Sequence, residues 1–317
     1  MNKKRYTEAG ELIVRDFPAQ ESIWGSVIQD REIVLLFAKT GVGKTHVAME
    51  LAHAIGANRR FLKFVGSRAR RVLYCDGEMG QRGLRRRLEA IEAGADTSVR
   101  GDMLRFMSVE NWEGAMPNLS TPDGQAAYTE AADGCEVVII DNLNCLSFPV
   151  SGRDDEISRW HRVHQWASAM RSAGRTVIFV HHTNKGGALQ SGTVLKENSA
   201  DTVIRLQEPI LKPQKTSNLR LEMHFDKHRN FWGDDKEPLL IELAEGGSGR
   251  SWKHTRLDDA KKLDIAMMMA QGAKERDIAL ALDMSIFTVR IVVREIQAEA
   301  EDMASMPSGP EFQEDLF

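Results

Sequence analysis

The stretch AKTGVGKT, residues 38–45, ends in a lysine and a hydroxyl residue set just after two spaced glycines, a pattern that suits the holding of phosphate. Gly41 and Gly43 free the backbone to turn its N–H groups inward toward an anion. Lys44 is then placed to reach the β- and γ-phosphates of a nucleotide such as ATP, and Thr45 to offer its hydroxyl to Mg²⁺. The cradle comprises Ala38, Lys39, Thr40, Gly41, Val42, Gly43, Lys44, Thr45 and His46, with Ala38 where the pattern usually has its first glycine.

Other residues could complete such a site. CDGEM, residues 75–79, closes a short apolar run with Asp76 and Glu78. A carboxylate just past a strand's C-terminal end lies on the face where open α/β sheets hold ligands, which makes Glu78 the candidate base for activating water. VVIID, residues 137–141, is a buried-strand pattern ending in an acid. Asp141 would hold Mg²⁺ through water, opposite Thr45, with Asn142 able to support the same shell. VIFVHH, residues 177–182, ends in two histidines that must point to opposite faces of a strand, and His182 is the one assigned to the terminal phosphate. Lys227 and Arg229 stand two apart, hence on one strand face, and two cations on one side suggest an anion partner.

These side chains need a scaffold, and the patterning supplies one. Ile33 to Phe37 reads as a strand, and after the glycine loop Val47, Leu51 and Ile55 recur on one face of a helix. Strands are expected at 71–79, within 103–109, at 177–180 and at 202–206, with a hairpin-like pair around Lys227 and at 238–243. Helices are expected at 80–94, with Leu84, Leu88 and Ile91 inward, and at 154–174, where His164 reads as a packed surface histidine. The basic stretch 58–71 reads as a solvated connection, and 185–198 as a flexible glycine-rich loop bracketed by Lys185 and Lys196. The alternation predicts an α/β fold with a mostly parallel sheet flanked by helices. It organises the chain into a lead-in at 1–30, a core at 31–256, a helical region at 257–300 and a flexible acidic tail at 301–317.

With 317 residues, 42% apolar and 28% charged, the chain can bury a large core, which excludes disorder throughout. The net charge of -4 gives no general affinity for nucleic acid, so any such surface is local. Cys75, Cys135 and Cys145 lack metal-ligand spacing and read as reduced thiols. The basic start has no apolar run behind it and no stretch approaches a membrane span, so the sequence predicts a cytoplasmic protein with no membrane partner.

Residues 257–299 read as three short helices, with Gly272 ending the first and Ser285 starting the third in a helix-turn-helix-like spacing. Yet residues 257–301 carry six Lys or Arg against nine Asp or Glu, which opposes tight phosphate contact and leaves DNA binding and protein docking both open. The final residues can act as a peptide hook, with Gln313 for polar anchoring and Leu316 and Phe317 for an apolar pocket. They look like the short sliding-clamp-binding peptide of bacterial replication proteins.

In their order, AKTGVGKT, CDGEM, VVIIDNL, VIFVHHTNKGG and DKHRNFWG resemble the RecA-type ATPase core of DnaB-like hexameric helicases, nearest to the plasmid replicative helicase RepA group. The resemblance covers about residues 24–245. It implies that Lys44, Thr45 and Asp141 bind ATP and Mg²⁺, that Glu78 polarises the attacking water and that His182 senses the γ-phosphate. It further implies that Lys227 and Arg229 reach into a neighbouring subunit's site of a homo-hexamer, and that the loop Lys185 to Asn198 faces single-stranded DNA in the channel. The function it implies is an ATP-driven ring motor on DNA, a replicative helicase of a plasmid, phage or integrated element. Two alternatives share the core: an ATP-switched DNA-binding regulator or helicase loader that does not unwind, and a recombinase-like or KaiC-like ATPase. The chain departs from the DnaB pattern in lacking its N-terminal domain and in carrying the helical region and tail at the other end.

Overall fold

The structure is a computed structural model that describes residues 6–183, 191–210, 219–229, 233–246 and 249–305. A short helix α1 (Ala9–Val14) leads into a small hairpin of β1 (Ser22–Trp24) and β2 (Ile28–Gln29). The main sheet is built from β3 (Ile33–Lys39), β4 (Val72–Asp76), β5 (Leu104–Met107), β6 (Val137–Asp141), β7 (Thr176–Thr183), β8 (Thr202–Gln207), β9 (Leu219–His228), β10 (Leu239–Gly246) and β11 (Gly249–Arg256). Its nine strands lie in the order β11-β10-β9-β8-β3-β7-β6-β4-β5. From β8 to β5 all neighbours are parallel, whereas β9, β10 and β11 extend the sheet in antiparallel fashion.

β3 is central because its sequence has no polar face. Val34, Leu36 and Ala38 pack on one side, and Ile33, Leu35 and Phe37 on the other. A parallel strand covered on both faces is expected to read this way. The first side carries α2 (Lys44–Ala57) and α3 (Gly80–Gly94), the second α4 (Pro122–Ala131) and α6 (Glu156–Ser172). A four-residue helix α5 (Leu143–Leu146) follows β6, capped by the Asn142 side chain, which accepts from the Cys145 N–H.

Several expectations change. The second half of the stretch read as a flexible loop is helix α7 (Ser191–Ser199), while residues 184–190, Lys185 among them, lie outside the described residues. Lys196 is buried against Glu156 and His181, so it offers no exposed cation to a channel. The basic stretch 58–71 is only partly solvated: Arg59 donates to Glu50 and His53, and the buried Arg70 pairs with Glu21 and Glu136. Long guanidinium side chains enter an interior when carboxylates await them there.

Beyond the sheet lie α8 (Leu257–Ala270), α9 (Glu275–Ala281) and α10 (Ile286–Ser305). Ile265, Ile278, Leu282, Val289 and Val293 form an apolar centre of their own, and a separate small cluster of Leu257 and Ala260 with Leu240 packs the start of α8 on β10. Gly272 turns the chain at φ +81°, and Ser285 caps α10 by accepting from the Thr288 N–H. α10 is not short; its 20 residues run past the expected start of the tail to Ser305. Gln313, Leu316 and Phe317 lie outside the described residues.

α3 meets the antiparallel extension closely. A Cβ on Gly94 would stand 1.8 Å from the Arg250 carbonyl oxygen. Gly94→Ala must therefore push α3 off β11, and we expect a loss of about 1–3 kcal/mol of stability, measured by chemical denaturation.

Candidate active site

The phosphate loop links the C-terminal end of β3 to α2. Gly41 and Gly43 adopt φ of +83° and +114°, conformations that a side chain would disfavour. A Cβ on Gly43 would also strike the Leu219 side chain at 2.7 Å, so β9 walls the loop. The loop delivers the chain into α2 at Lys44, leaving the first N–H groups of a 14-residue helix without helical partners. Lys44 is 3% exposed, and its Nζ donates to the carbonyls of Ala38 at 2.9 Å and Lys39 at 2.8 Å. Burial lowers its pKa to about 8, against the raising pull of Asp141 and Glu78. A desolvated ammonium held beside a row of N–H groups is ready to receive a polyanion.

Asp141 ends β6, and Thr45 and Tyr74 both direct their hydroxyls to its carboxylate, Tyr74 through a short bond to Oδ2. Burial pushes its pKa up to about 6, opposed by those two hydroxyls and assisted by Asp76 and Glu78. Asp76 instead accepts from the N–H groups of Met79 at 2.9 Å and Gly80 at 2.8 Å, tying down the start of α3. Glu78 is the freer acid of the pair, half exposed above the loop. Its Oε1 accepts from Asn142 Nδ2 and from Cys145 Sγ at 3.4 Å, and His182 Nε2 lies 3.4 Å away.

His181 and His182 occupy opposite faces. His181 faces α6 and α7, neutral and buried, its pKa driven down to about 3 by burial with Lys196 adding to the effect. His182 faces the phosphate loop, with Nδ1 3.4 Å from Thr40 Oγ1 and Nε2 2.8 Å from Asn142 Nδ2. Burial first, then Lys44, lowers its pKa, so the ring is neutral at pH 7.

The structure thus brings Thr40, Lys44, Thr45, Glu78, Asp141 and His182 together at the C-terminal ends of neighbouring strands. Lys227 and Arg229 are not among them. Lys227 is level with Val203 of β8, and Val203 with Leu35 of β3, well before the loop that follows Lys39. Lys227 Nζ donates to the carbonyls of Glu197 and Asn198, and Arg229 pairs with Asp201 at 3.3 Å. Sequence reasoning placed Thr40 in the cradle but missed Tyr74 and Cys145 as site neighbours. Tyr74 shares the face of Asp141 by period-2 alternation, a signal usable only once β4 and β6 are known to be adjacent.

Among solved structures, a KaiC-like protein from the hyperthermophilic archaeon Pyrococcus horikoshii OT3 is similar at 15% identity and a TM-score of 0.49, over 71% of this chain and 90% of that one. No curated protein matches the sequence. Among the described residues no helix is long and apolar enough to cross a membrane. The sequence profile of the AAA_25 family, an AAA domain, matches residues 4–188, which is more than half of the chain. With its phosphate loop in place between β3 and α2, the chain belongs to that family and is a P-loop ATPase.

Proposed function

We propose that the protein is a ring-forming motor that hydrolyses ATP to act on single-stranded DNA, a replicative helicase of a plasmid, phage or integrated element. The observation that carries this reading is the location of Lys227 and Arg229. Two strands away from β3 and toward its N-terminal end, they cannot serve their own phosphate loop, yet Arg229, though paired with Asp201, is 56% exposed and so within reach of a neighbouring copy. Sites completed by a second subunit are what a closed ring provides. In the same reading Lys44 and the start of α2 take the phosphates, and Glu78 and His182 face the reacting end. Mg²⁺ fits the donors present: Thr45 and the buried Asp141 give one hydroxyl and one carboxylate, the modest protein share that Mg²⁺ takes when phosphates and water fill the rest. Bound there, it would neutralise charge on the transferred phosphoryl group.

Sedimentation with and without a non-hydrolysable ATP analogue, together with turnover on single-stranded DNA at low salt, tests the proposal. A nucleotide-dependent hexamer whose ATPase rises with DNA is expected. A persistent monomer, or turnover indifferent to DNA, would remove it. Glu78→Gln should retain ATP binding and reduce turnover by about 100-fold or more, read as Kd of a fluorescent analogue against kcat.

A second reading has its own observation. On the helical region, Leu280 of α9 and Phe287 and Ile291, one turn apart on α10, are exposed, and the nearby Arg290 is engaged by Glu275. Exposed apolar side chains favour docking to a protein over reading DNA, as an ATP-switched loader requires. Processive strand separation by the isolated protein would eliminate this alternative.

A further inference from the structure

Asn142 is fully buried between the two polar groups that face the reacting end of the site. Its orientation is not ambiguous. The Cys145 N–H donates to one end of the amide at 3.0 Å, which identifies that end as oxygen and turns the NH₂ toward Glu78 and His182. Both amide hydrogens are then committed, one to Glu78 Oε1 and one to His182 Nε2 at 2.8 Å. Nε2 must accept, so the proton of the neutral imidazole sits on Nδ1, directed at Thr40 Oγ1 in the phosphate loop. An unbroken chain of hydrogen bonds therefore runs from Thr40 through His182 and Asn142 to Glu78.

From this we infer that Asn142 is a positioning residue that fixes His182 and Glu78 as one unit: it sets the tautomer that directs a donor at the phosphate loop, and with the same amide it aims the Glu78 carboxylate. A group arriving at the loop can compete with Thr40 for the Nδ1 proton, and any turn of the ring is felt at Glu78 through the shared Asn142 amide, beside the direct approach of Nε2 to Glu78 Oε1 at 3.4 Å. The inference rests on the reading of Glu78 as the group that polarises water. It assigns Asn142 no contact with ATP.

The test is a double-substitution cycle on the full-length protein. Asn142→Asp keeps an oxygen for the Cys145 N–H and nearly the same shape, but removes both donated hydrogens. Asn142→Ala is measured alongside it and carries the test if the added charge prevents folding, with thermal denaturation midpoints as the control. Each substitution, and His182→Ala, should lower kcat by about 30-fold while the Kd of a non-hydrolysable ATP analogue stays within about threefold. Combined with His182→Ala, either Asn142 variant should fall little below the worse single one, because the partner is already uncoupled. Losses that multiply to about 1000-fold, or a loss of turnover that follows ATP affinity, would overturn the inference. The underlying reading fails separately: it is lost if Glu78→Gln turns over ATP like the parent, whereas multiplicative losses with an inactive Glu78→Gln remove only the role of Asn142.

Discussion

Lys44→Ala is expected to abolish ATP turnover, lowering kcat/KM by about 1000-fold, or about 4 kcal/mol of transition-state stabilisation. The size follows from the environment. Lys44 is a cation already stripped of water, anchored on the Ala38 and Lys39 carbonyls at the mouth of a helix whose first N–H groups face the same way. Its attraction for a phosphate is therefore screened little, and the geometry is set before the nucleotide arrives. Alanine removes the charge and the Nζ donor shared by the Ala38 and Lys39 carbonyls, so a modest fall in thermal midpoint should accompany the loss. Turnover near that of the parent would contradict the assignment of the loop as the catalytic site.

Arg229→Ala should match that loss by another route, at about 1000-fold in kcat if the guanidinium acts on a neighbour's terminal phosphate. The fold should tolerate it. Asp201 keeps Arg171 at 3.1 Å and the Ile33 N–H at 3.0 Å when Arg229 is gone. Mixing the two inactive proteins separates action on a neighbour from action at home. In randomly mixed rings about a quarter of the interfaces join an intact Lys44 to an intact Arg229, so about a quarter of the parent's turnover should return. No recovery, in mixtures shown to contain both chains in one assembly, would mean that Arg229 does not serve a neighbour's site.

What was legible in the sequence was what is contiguous in it. The strand, loop and helix around residues 33–56 form a continuous run whose parts need only each other, and Glu78, Asp141 and His182 each close an apolar run that betrays a strand end. What stayed hidden depends on partners far along the chain. Lys196 reads as a solvated loop cation until Glu156, forty residues earlier, is folded against it. Arg59 and Arg70 read as surface until the buried Glu50 meets the first and the half-exposed Glu136 the second. Strand β11, GRSWKHTR, has too little apolar alternation to announce itself; its pairing is imposed by β10 and by Trp252, whose indole donates to Glu50 of α2. Lys227 lies on β9 as its spacing predicted, but Arg229 falls just past the end of that strand, and which end of the sheet the pair occupies required the register of β9 on β8.

The antiparallel extension also bears on how copies of this chain can meet. The sheet's outer margins are β11 and β5. One presents exposed Lys253, His254 and Arg256 and is overlain at its start by the end of α3; the other is four residues long and carries exposed Arg105. Exposed cations such as Lys253, Arg256 and Arg105, together with curtailed length, resist strand-to-strand zippering between molecules. Crowded together at high local concentration, these chains are thereby steered away from fusing their sheets into fibrils and toward contacts made by helices and loops.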